Sequence, residues 1–376
     1  MIEVHILPEI RAVPRDEWNA LDGVADAPFL SWEFLDTMER TGCVGEGTGW
    51  TPAHLTFHDG DQLIGAAPAY LKDNSEGEFV FDYSWADALR RAGGRYYPKL
   101  LVAAPFTPAT GSRVLAKRPE ERPRLATALA ETVRAVTKRM DLSSAHILFP
   151  VEAEAELLGQ SGLARRFGVQ FQWHNQGFST WDDFLSSFDS KRRAMIRRER
   201  REMQKLGITI ETLRGADITP PVIDRMYGFY LSTVQKFYWG RQYLNRAFFE
   251  EIATALPGKV EIVVAREGRK VIAGAFNLAG PRALFGRYWG ASEERPFLHF
   301  NVCYYHSVEE AIARGFERFE PGAGGSHKRS RGFAPTITHS AHHLAHPGLD
   351  RAVREHLALE REAILKHVAA GGGDDD

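Results

Sequence analysis

The sequence predicts an α/β protein made of two similar domains, each with a mixed sheet flanked by helices. Three observations support this: the order of elements over residues 259–333, a weaker copy of that order earlier in the chain, and a length of 376 residues. A chain of this length is expected to form about two domains, each able to bury its own core. We place the predicted domains at residues 1–165 and 166–376.

The second half carries the clearer pattern. The predicted elements are strands over 259–266, 270–279 and 282–290, a helix over 299–314 and a short strand over 316–321. β-branched runs broken by glycine predict the strands, and apolar residues three or four apart predict the helix. This order, with antiparallel strands followed by a strand–helix–strand crossover, resembles an acyltransferase domain of the GNAT type.

The first half repeats the order less clearly. Its predicted elements are strands over 53–57, 62–71 and 145–150 and a helix over 122–139. Turn glycine and closing proline are 90 residues apart here (60 to 150) and 53 apart in the second half (268 to 321), which suggests an insertion near residues 79–111. We interpret the two halves as a divergent internal duplication. Chance similarity between two α/β segments is the alternative.

Composition excludes several classes of protein. Hydrophobic residues make up 44% and charged residues 26%, and 47 Lys or Arg nearly balance 49 Asp or Glu. No global charge therefore draws the chain to nucleic acid or membrane. Cys43 and Cys303 are the only cysteines, which argues against a disulfide framework. We expect a cytoplasmic protein without a signal peptide or membrane span, and a flexible tail over residues 371–376.

Positive charge is concentrated at the junction of the two halves. Residues 191–205 carry eight Lys or Arg and two Glu, a net charge of +6, and Asp189 and Ser190 are both plausible helix N-caps. Arginine forks suit phosphate, so this helix is a candidate face for a diphosphate or a tRNA backbone. A solvated basic helix without a ligand is the alternative.

A glycine-rich loop with several cations follows the last predicted strand of the second half. Residues 322–332 contain five glycines or alanines together with His327, Lys328, Arg329 and Arg331. A loop at the carboxyl end of a strand is where α/β sheets commonly place their ligand. The sequence therefore predicts that this loop and the basic helix face one anionic ligand.

Many of these segments resemble the FemAB-like, or peptidoglycan biosynthesis/recognition, family of GNAT-related proteins. The similar segments are residues 48–55, 81–87, 96–101, 105–108, 169–175, 190–201, 286–290, 297–300, 303–305, 320–328 and 331–332. Together they extend over roughly residues 25 to 365. The resemblance implies tandem GNAT-like domains and an acyl-transfer ancestry, without a defined substrate.

Two departures from the related patterns affect the expected chemistry. The family usually has Glu after Leu-His-Phe, where this chain has Asn301. GNAT enzymes usually hold the pyrophosphate of acetyl-CoA on a glycine-rich loop before the central helix. Residues 291–300 contain no glycine at that place. Fem-type relatives also lack this loop and take an aminoacyl group from aminoacyl-tRNA.

The candidate catalytic residues are Glu320, Lys328, His327 and Tyr288. Lys328 and His327 are candidates for stabilising the oxyanion or a donor phosphate, Glu320 for accepting a proton, and Tyr288 for donating one to a leaving group. A structural ion pair for Glu320 and a core position for Tyr288 are the alternatives. The candidate residues for binding the anionic donor are Lys191, Arg193, Arg197, Arg287, Trp289, His299, Asn301, Tyr305, Gly324, Gly325, Ser326 and Arg331.

His339, His342, His343 and His346 form a further cluster. Without cysteine partners, and with Pro347 following, a hydrogen-bonded strand or loop is favoured over a metal site. We predict an N-acyltransferase that moves an aminoacyl or acyl group onto an amine of a small or peptide-like acceptor. Aminoacyl-tRNA or acyl-CoA is the expected co-substrate, with no tightly bound cofactor. A CoA-dependent acetyltransferase and a non-catalytic protein that binds an anion are the alternatives.

Overall fold

The computed structural model describes residues 2–236 and 241–371. Most of the predicted flexible tail, residues 372–376, lies outside the described residues. Within the described ranges the strands are β1 (Glu3–Leu7), β2 (Trp50–Pro52), β3 (His54–Asp59), β4 (Gln62–Ala67), β5 (Ala69–Lys72), β6 (Lys99–Val102), β7 (Leu115–Ala116), β8 (Ser144–Leu148), β9 (Ala164–His174), β10 (Ile208–Arg214), β11 (Val260–Glu267), β12 (Lys270–Ala279), β13 (Ala283–Ala291), β14 (Arg318–Glu320) and β15 (Ala334–Leu344).

The α-helices alternate with these strands along the chain. They are α1 (Arg15–Asn19), α2 (Trp32–Arg40), α3 (Tyr83–Arg91), α4 (Arg122–Arg139), α5 (Glu152–Gln160), α6 (Trp181–Ser186), α7 (Ser190–Lys205), α8 (Pro220–Lys236), α9 (Arg246–Ala255), α10 (Leu298–Phe300), α11 (His306–Ala313) and α12 (Pro347–Ala369). A π-helical turn over Asn301–Tyr305 joins α10 to α11. None of the described helices is long and apolar enough to cross a lipid bilayer.

The chain divides into two compact units whose boundaries fall within β9 and β15. Unit 1 contains the described residues up to Val169 and those from Thr336 onward, and unit 2 contains the residues between them. The segment from Thr336, which the sequence-based division assigns to the second domain, is therefore part of unit 1. The predicted domain boundary at 165 and 166 remains a prediction.

Unit 1 contains a sheet with the strand order β1-β3-β4-β7. It also contains a second set of hydrogen-bonded strands in the order β15-β8-β6-β5-β2. β6 and β8 are parallel, and α4 lies between them in sequence. The apolar side of α4, with Leu125, Leu129 and Val133, packs into the main core of this unit. β6 lies inside the predicted insertion at 79–111, so that segment supplies a strand of the sheet and is not wholly inserted.

Unit 2 contains strands in the order β10-β11-β12-β13-β14-β9. β10 to β13 are antiparallel neighbours, whereas β13 and β14 are parallel and are connected by the helical segment from α10 to α11. Each unit thus contains a parallel pair of strands joined by a helical crossover. The predicted α/β class with mixed sheets is confirmed.

A closely packed helix in unit 2 requires glycine on the sheet below it. Gly274 and Gly290 are cross-strand partners on β12 and β13. A Cβ at Gly290 would lie 1.9 Å from the carbonyl oxygen of Phe229 on α8, so α8 approaches the sheet at this point more closely than any side chain allows. Thr233 then donates to the carbonyl oxygen of Trp289 at 2.6 Å.

We expect Gly290→Ala to lower the free energy of unfolding by about 1–3 kcal/mol, because α8 must move away from β13. Gly228→Ala is the matched control, since Gly228 is on α8 and, apart from its chain neighbours and the backbone of α8 itself, no described atom lies within 4 Å of its Cβ position. That substitution should raise stability by up to about 1 kcal/mol through helix propensity. Urea denaturation measures the free energy of unfolding of both variants. Equal effects at the two positions would contradict the close approach of α8 to β13.

A buried ionic network in unit 1 includes residues of two segments that resemble the family, 81–87 and 96–101. The Lys99 ammonium, which is fully buried, donates to Glu78 Oε2 at 2.8 Å, Asp82 Oδ2 at 2.6 Å and Ser75 Oγ at 2.9 Å. Tyr96 donates to Asp82 Oδ2 at 2.8 Å. Burial alone would lower the pKa of Lys99, but the two carboxylates raise it. Lys99 is therefore held as a cation without contact with solvent.

The two acids of this network respond differently to burial. Burial raises the pKa of Glu78 to about 7 despite the neighbouring Lys99. Burial opposes ionisation of Asp82 as well, but Lys99 and His146 outweigh it and lower the pKa to about 2. Asp82 is thus the carboxylate that keeps its charge beside Lys99 throughout the neutral range.

The histidine cluster near the end of the chain lies largely on β15, so the predicted strand or loop is confirmed. His342 pairs with His146 on β8 through their Nδ1 atoms at 2.7 Å, which requires one ring to donate and the other to accept. Burial lowers the pKa of both rings, that of His146 to about 3. His346 caps α12 by accepting from the amide of Leu349. Among the described residues, no group of three His, Cys, Asp or Glu could hold a metal ion.

Candidate functional site

The loop after β14 in unit 2 is shaped by glycines in the left-handed region. Gly322, Gly324 and Gly325 have φ values of 90°, 74° and 90°. A Cβ at Gly325 would lie 2.7 Å from the ring of His327, so the loop folds back tightly at this residue. A 3-10 helix over Ser326–Arg331 follows, although the side chain of Ser326 lies outside the described part of the structure. The predicted glycine-rich loop thus presents a short cationic turn.

Lys328 is the buried cation of this turn. Its side chain is 3% exposed, and Nζ donates to the carbonyl oxygens of Gly322 at 2.7 Å and Ala323 at 3.4 Å. Burial lowers the pKa of Lys328 to about 8, and the nearby Cys303 thiol opposes this only partly. Both hydrogen bonds go to neutral carbonyls, so this buried ammonium carries a charge that no described carboxylate neutralises.

Several aromatic side chains pack together near Lys328. Trp289 of β13 packs on His299 of α10 with ring centroids 4.4 Å apart, and His327 Nε2 lies 3.0 Å from the hydroxyl of Tyr304. Burial, reinforced by His327 and Lys328, lowers the pKa of His299 to about 3. Burial and then Lys328 lower the pKa of His327 as well. Both imidazoles are therefore neutral near pH 7, but the low pKa of His299 makes it a weak base, which leaves His327 as the candidate proton acceptor.

Arg331 attaches the loop to the basic helix. Its guanidinium forms a fork with Glu199 of α7, with Nη2 to Oε1 at 2.7 Å and Nε to Oε2 at 3.1 Å, and it stacks 3.4 Å from the ring centre of Phe300. Tyr305 donates to the same carboxylate at 2.5 Å, and Asn301 donates to the backbone oxygen of Glu199 at 3.0 Å. These three predicted ligand-binding residues are thus engaged in holding α7, the π-helical turn and the loop together.

The basic helix and the cationic loop border one groove, as the sequence analysis expects of a shared anion site. The groove has a volume of about 790 Å³ and contains a single carboxylate, that of Asp189. Its lining residues are Asp189, Lys191, Arg192, Ala194, Met195, Arg198, Arg201, Arg329 and Ser330. Five cations against one acid give the exposed surface of this groove an excess of positive charge.

Two predicted arginines of α7 lie outside the lining of this groove. Arg193 donates to the carbonyl oxygen of Phe188, and Arg197 is exposed but does not line the groove. Lys191 is on the lining as predicted. The roles proposed for Arg193 and Arg197 in binding an anion remain predictions. Other cations of α7, among them Arg192, Arg198 and Arg201, line the groove.

Other predicted residues lie on different surfaces of the unit 2 sheet. Tyr288 faces α8, with its ring 5.0 Å from that of Tyr230, whereas its neighbour Trp289 faces α10. Arg287 lies with its guanidinium 5.4 Å from the ring of Tyr288. Glu320 is buried and accepts from Arg318 at 3.0 Å. The structure therefore brings together Lys328, His327, His299 and Trp289, and it places Tyr288 on the opposite face of β13.

Four cations of the lining are absent from the candidate binding residues chosen from the sequence: Arg192, Arg198, Arg201 and Arg329. Arg198 and Arg201 are three residues apart and share a helix face with Ala194 and Met195. Because the buried residues of α7 include Glu199, which is normally a surface type, the polar and apolar pattern did not show which face points outward. The partner of Glu199 is 132 residues away, so no local pattern could have revealed it.

The parallel crossover pairs and the cationic loop define a two-unit α/β protein of the GNAT-related fold class. A profile of the FemAB-like family, described as peptidoglycan biosynthesis/recognition, matches residues 9–372. The chain belongs to this family. A comparison with curated proteins found no match.

Solved structures share the fold at low sequence identity. The crystal structure of FemX is 12% identical with a TM-score of 0.54, and the match covers 91% of this chain and 98% of FemX. The structure of L-PGS from Bacillus licheniformis is 10% identical with a TM-score of 0.51, covering 85% of this chain and 94% of that one. A tandem GNAT protein from the clavulanic acid biosynthesis pathway is 11% identical with a TM-score of 0.49, covering 92% and 99%. At these identities the likeness to FemX and L-PGS shows the fold alone.

Proposed function

We propose that the protein is a Fem-type N-acyltransferase that moves an aminoacyl or acyl group from a phosphate-bearing donor onto an amine. The observation that carries this proposal is the cationic groove between α7 and the loop that holds Lys328. The groove supplies charge for donor phosphates, and the loop places a buried ammonium near two neutral imidazoles. Membership of the FemAB-like family and the fold shared with FemX support an acyl-transfer chemistry.

The reaction forms a C–N bond and breaks the bond between the acyl carbon and the donor. A neutral acceptor amine attacks the carbonyl carbon, giving a tetrahedral oxyanion. The amine then loses a proton to a base, and the oxyanion collapses as the donor oxygen or sulfur leaves and is protonated. Aminoacyl-tRNA would leave through a ribose oxygen and acyl-CoA through sulfur.

Lys328 and His327 suit the two tasks that this reaction sets. Two of the three ammonium donors of Lys328 are directed at carbonyl oxygens, so a third N–H is available for the oxyanion. Burial makes that interaction stronger than it would be in water. The neutral ring of His327, on the exposed side of the loop, can accept the amine proton. We place the reaction in the cytoplasm, where aminoacyl-tRNA and acyl-CoA are available.

The identity of the donor is tested by thermal shift with charged tRNA, acyl-CoAs and nucleotide-linked cell-wall precursors. We expect charged tRNA or a nucleotide-linked precursor to raise the melting temperature, and the shift to fall steeply as salt is added. Acyl transfer from the stabilising donor to a peptide amine is then followed by mass spectrometry. Absence of stabilisation by all three classes would contradict the proposal.

The rate of acyl transfer should fall as pH rises through about 8, because Lys328 loses its proton there and can no longer stabilise the oxyanion as a cation. Lys328→Arg keeps the charge and should remove this alkaline limb. Lys328→Met should lower kcat by about 10²–10³, the usual effect of losing one oxyanion donor. If Lys328→Met keeps both the rate and the pH profile, Lys328 has no part in catalysis.

Acetyl-CoA should bind weakly, with a Kd on the order of 1 mM or above. The segment before α10 has no glycine-rich cradle, and Phe297, in the left-handed region at φ 61°, stands where the helix begins. Isothermal titration calorimetry measures this directly, and the positive control is whichever donor raises the melting temperature in the thermal-shift test. Micromolar binding of acetyl-CoA would favour the CoA-dependent alternative.

One observation favours a protein that binds its anionic ligand without chemistry. Asn301 is buried, and its amide donates to the backbone oxygens of Glu199 and Phe297 at 3.0 and 2.9 Å. The position where the family usually carries Glu therefore has a structural role here and supplies no base. Ligand binding that is intact in the absence of any acyl transfer would support this second candidate.

A further inference from the structure

A second pocket in unit 2 lies between α8 and the β11–β12 hairpin. Its volume is about 330 Å³, within the range of small-molecule sites. Met226 and Phe229 of α8 and Val264 of β11 form an apolar floor. Gly274 of β12 is the cross-strand partner of Val264 and adds no side chain. The side chains of Phe229 and Met226 lie 3.1 and 3.3 Å from the Cβ position of Gly274, so they cover this glycine and themselves form the apolar surface of the pocket.

The rim of the same pocket is positively charged. Four cations contribute to its lining: Arg225, Arg266, Arg269 and Lys270. Arg266 is paired with Glu211 at 2.5 Å, and Lys270 is paired with Glu293. For the exposed Arg225 and Arg269, no ion pair forms within the described part of the chain.

Two independent features thus indicate the chemistry of the occupant. An apolar floor favours a hydrocarbon chain, and two guanidiniums without acidic partners favour an anionic head group. Thr219 and Pro221 at the start of α8 also line the pocket, so the positive end of the helix dipole faces the same rim.

We propose that this pocket binds an amphipathic anion, with a short unbranched acyl chain on the apolar floor and a carboxylate or phosphate between Arg225 and Arg269. The pocket shares no residue with the cationic groove. It is therefore a separate site, and its occupancy does not depend on the proposed acyl-transfer reaction.

The test is calorimetric titration of the full chain with octanoate, octyl phosphate and octanol. Octanoate and octyl phosphate should bind at least tenfold more tightly than octanol, which lacks the charge. Across hexanoate, octanoate and decanoate the affinity should rise by about fourfold per methylene until the floor is filled. Equal affinity for octanoate and octanol, or no dependence on chain length, would overturn the proposal.

Two variants test separately whether the charged rim and the apolar floor of the pocket contribute to binding. The double variant Arg225→Ala/Arg269→Ala should weaken octanoate at least tenfold and leave octanol unchanged. Val271→Trp, at a half-buried position of the lining, should abolish binding of both, with circular dichroism to confirm folding. Arg351→Ala, at an exposed arginine of α12, is the matched control and should change nothing. Octanoate binding that survives both pocket variants would place the ligand elsewhere.

The same chemistry occurs in free acyl anions and in anionic lipids, so a second arm uses vesicles of phosphatidylglycerol. We expect octanoate to bind the protein in free solution and to compete with any vesicle binding. If the protein binds vesicles in a manner that depends on Arg225 and Arg269 while octanoate does not bind, the rim is a membrane contact and the pocket proposal is wrong.

Discussion

Replacement of Lys99 by methionine is expected to lower the free energy of unfolding of unit 1 by about 3–5 kcal/mol. The substitution keeps most of the side-chain volume but removes the only cation that contacts the buried carboxylates of Glu78 and Asp82 among the described residues. Glu78 Oε1 and Asp82 Oδ1 already lack hydrogen-bond partners in the described structure. Without Lys99 both acids are buried without compensation.

Urea denaturation of the full chain measures this effect, and Lys366→Met on the exposed end of α12 is the matched control. The triple variant Lys99→Met/Glu78→Gln/Asp82→Asn should recover part of the lost stability, because no uncompensated charge remains. Lys99 lowers the pKa of Glu78, which burial raises to about 7, so removal of Lys99 should raise this pKa further. The loss in Lys99→Met should therefore shrink as pH falls toward about 7, because Glu78 takes up a proton in the folded variant before it does so in the unchanged protein. A change below about 1 kcal/mol at pH 8 would show that the network is not buried as described.

Removal of three groove arginines should lower the affinity for a phosphate polyanion by about 100-fold or more. In the variant Arg192→Ala/Arg198→Ala/Arg201→Ala, each lost guanidinium removes a charge-assisted contact, and such contacts typically contribute about 1.5–3 kcal/mol each. These side chains line the groove and are exposed, so the melting temperature should change little. Binding of unacylated tRNA and of uridine diphosphate, measured at several salt concentrations, provides the readout.

Arg193→Ala/Arg197→Ala is the matched control on the same helix, and it also tests the residues that the sequence pattern favours. If the groove is the anion site, this pair should weaken tRNA binding far less than the triple variant and should leave its salt dependence nearly unchanged. A larger effect of Arg193 and Arg197 would show that the ligand contacts the other side of α7. Equal and negligible effects of both variants would remove the case for an anion site on this helix.

Local chemistry determined most of the secondary structure, because the signals involved span only a few residues. The spacing of apolar residues predicted a helix over 122–139, and α4 has those bounds. Asp189 caps α7 by accepting from the amide of Arg192, as its residue type indicates. The glycine-rich loop and the crossover order were equally visible, and they located the region of the candidate site.

Tertiary structure decided which charged residues face a ligand and which are buried. Glu199 and Arg331 are each ordinary surface types, and only the packing of α7 against the loop made them a buried pair. That packing fixed the rotation of α7 and thereby put Arg192, Arg198 and Arg201 on the groove. Lys99 likewise meets Glu78 and Asp82 across 21 and 17 residues of sequence. A periodic pattern gives the faces of a helix, but the partner of each face depends on long-range contacts that no local pattern contains.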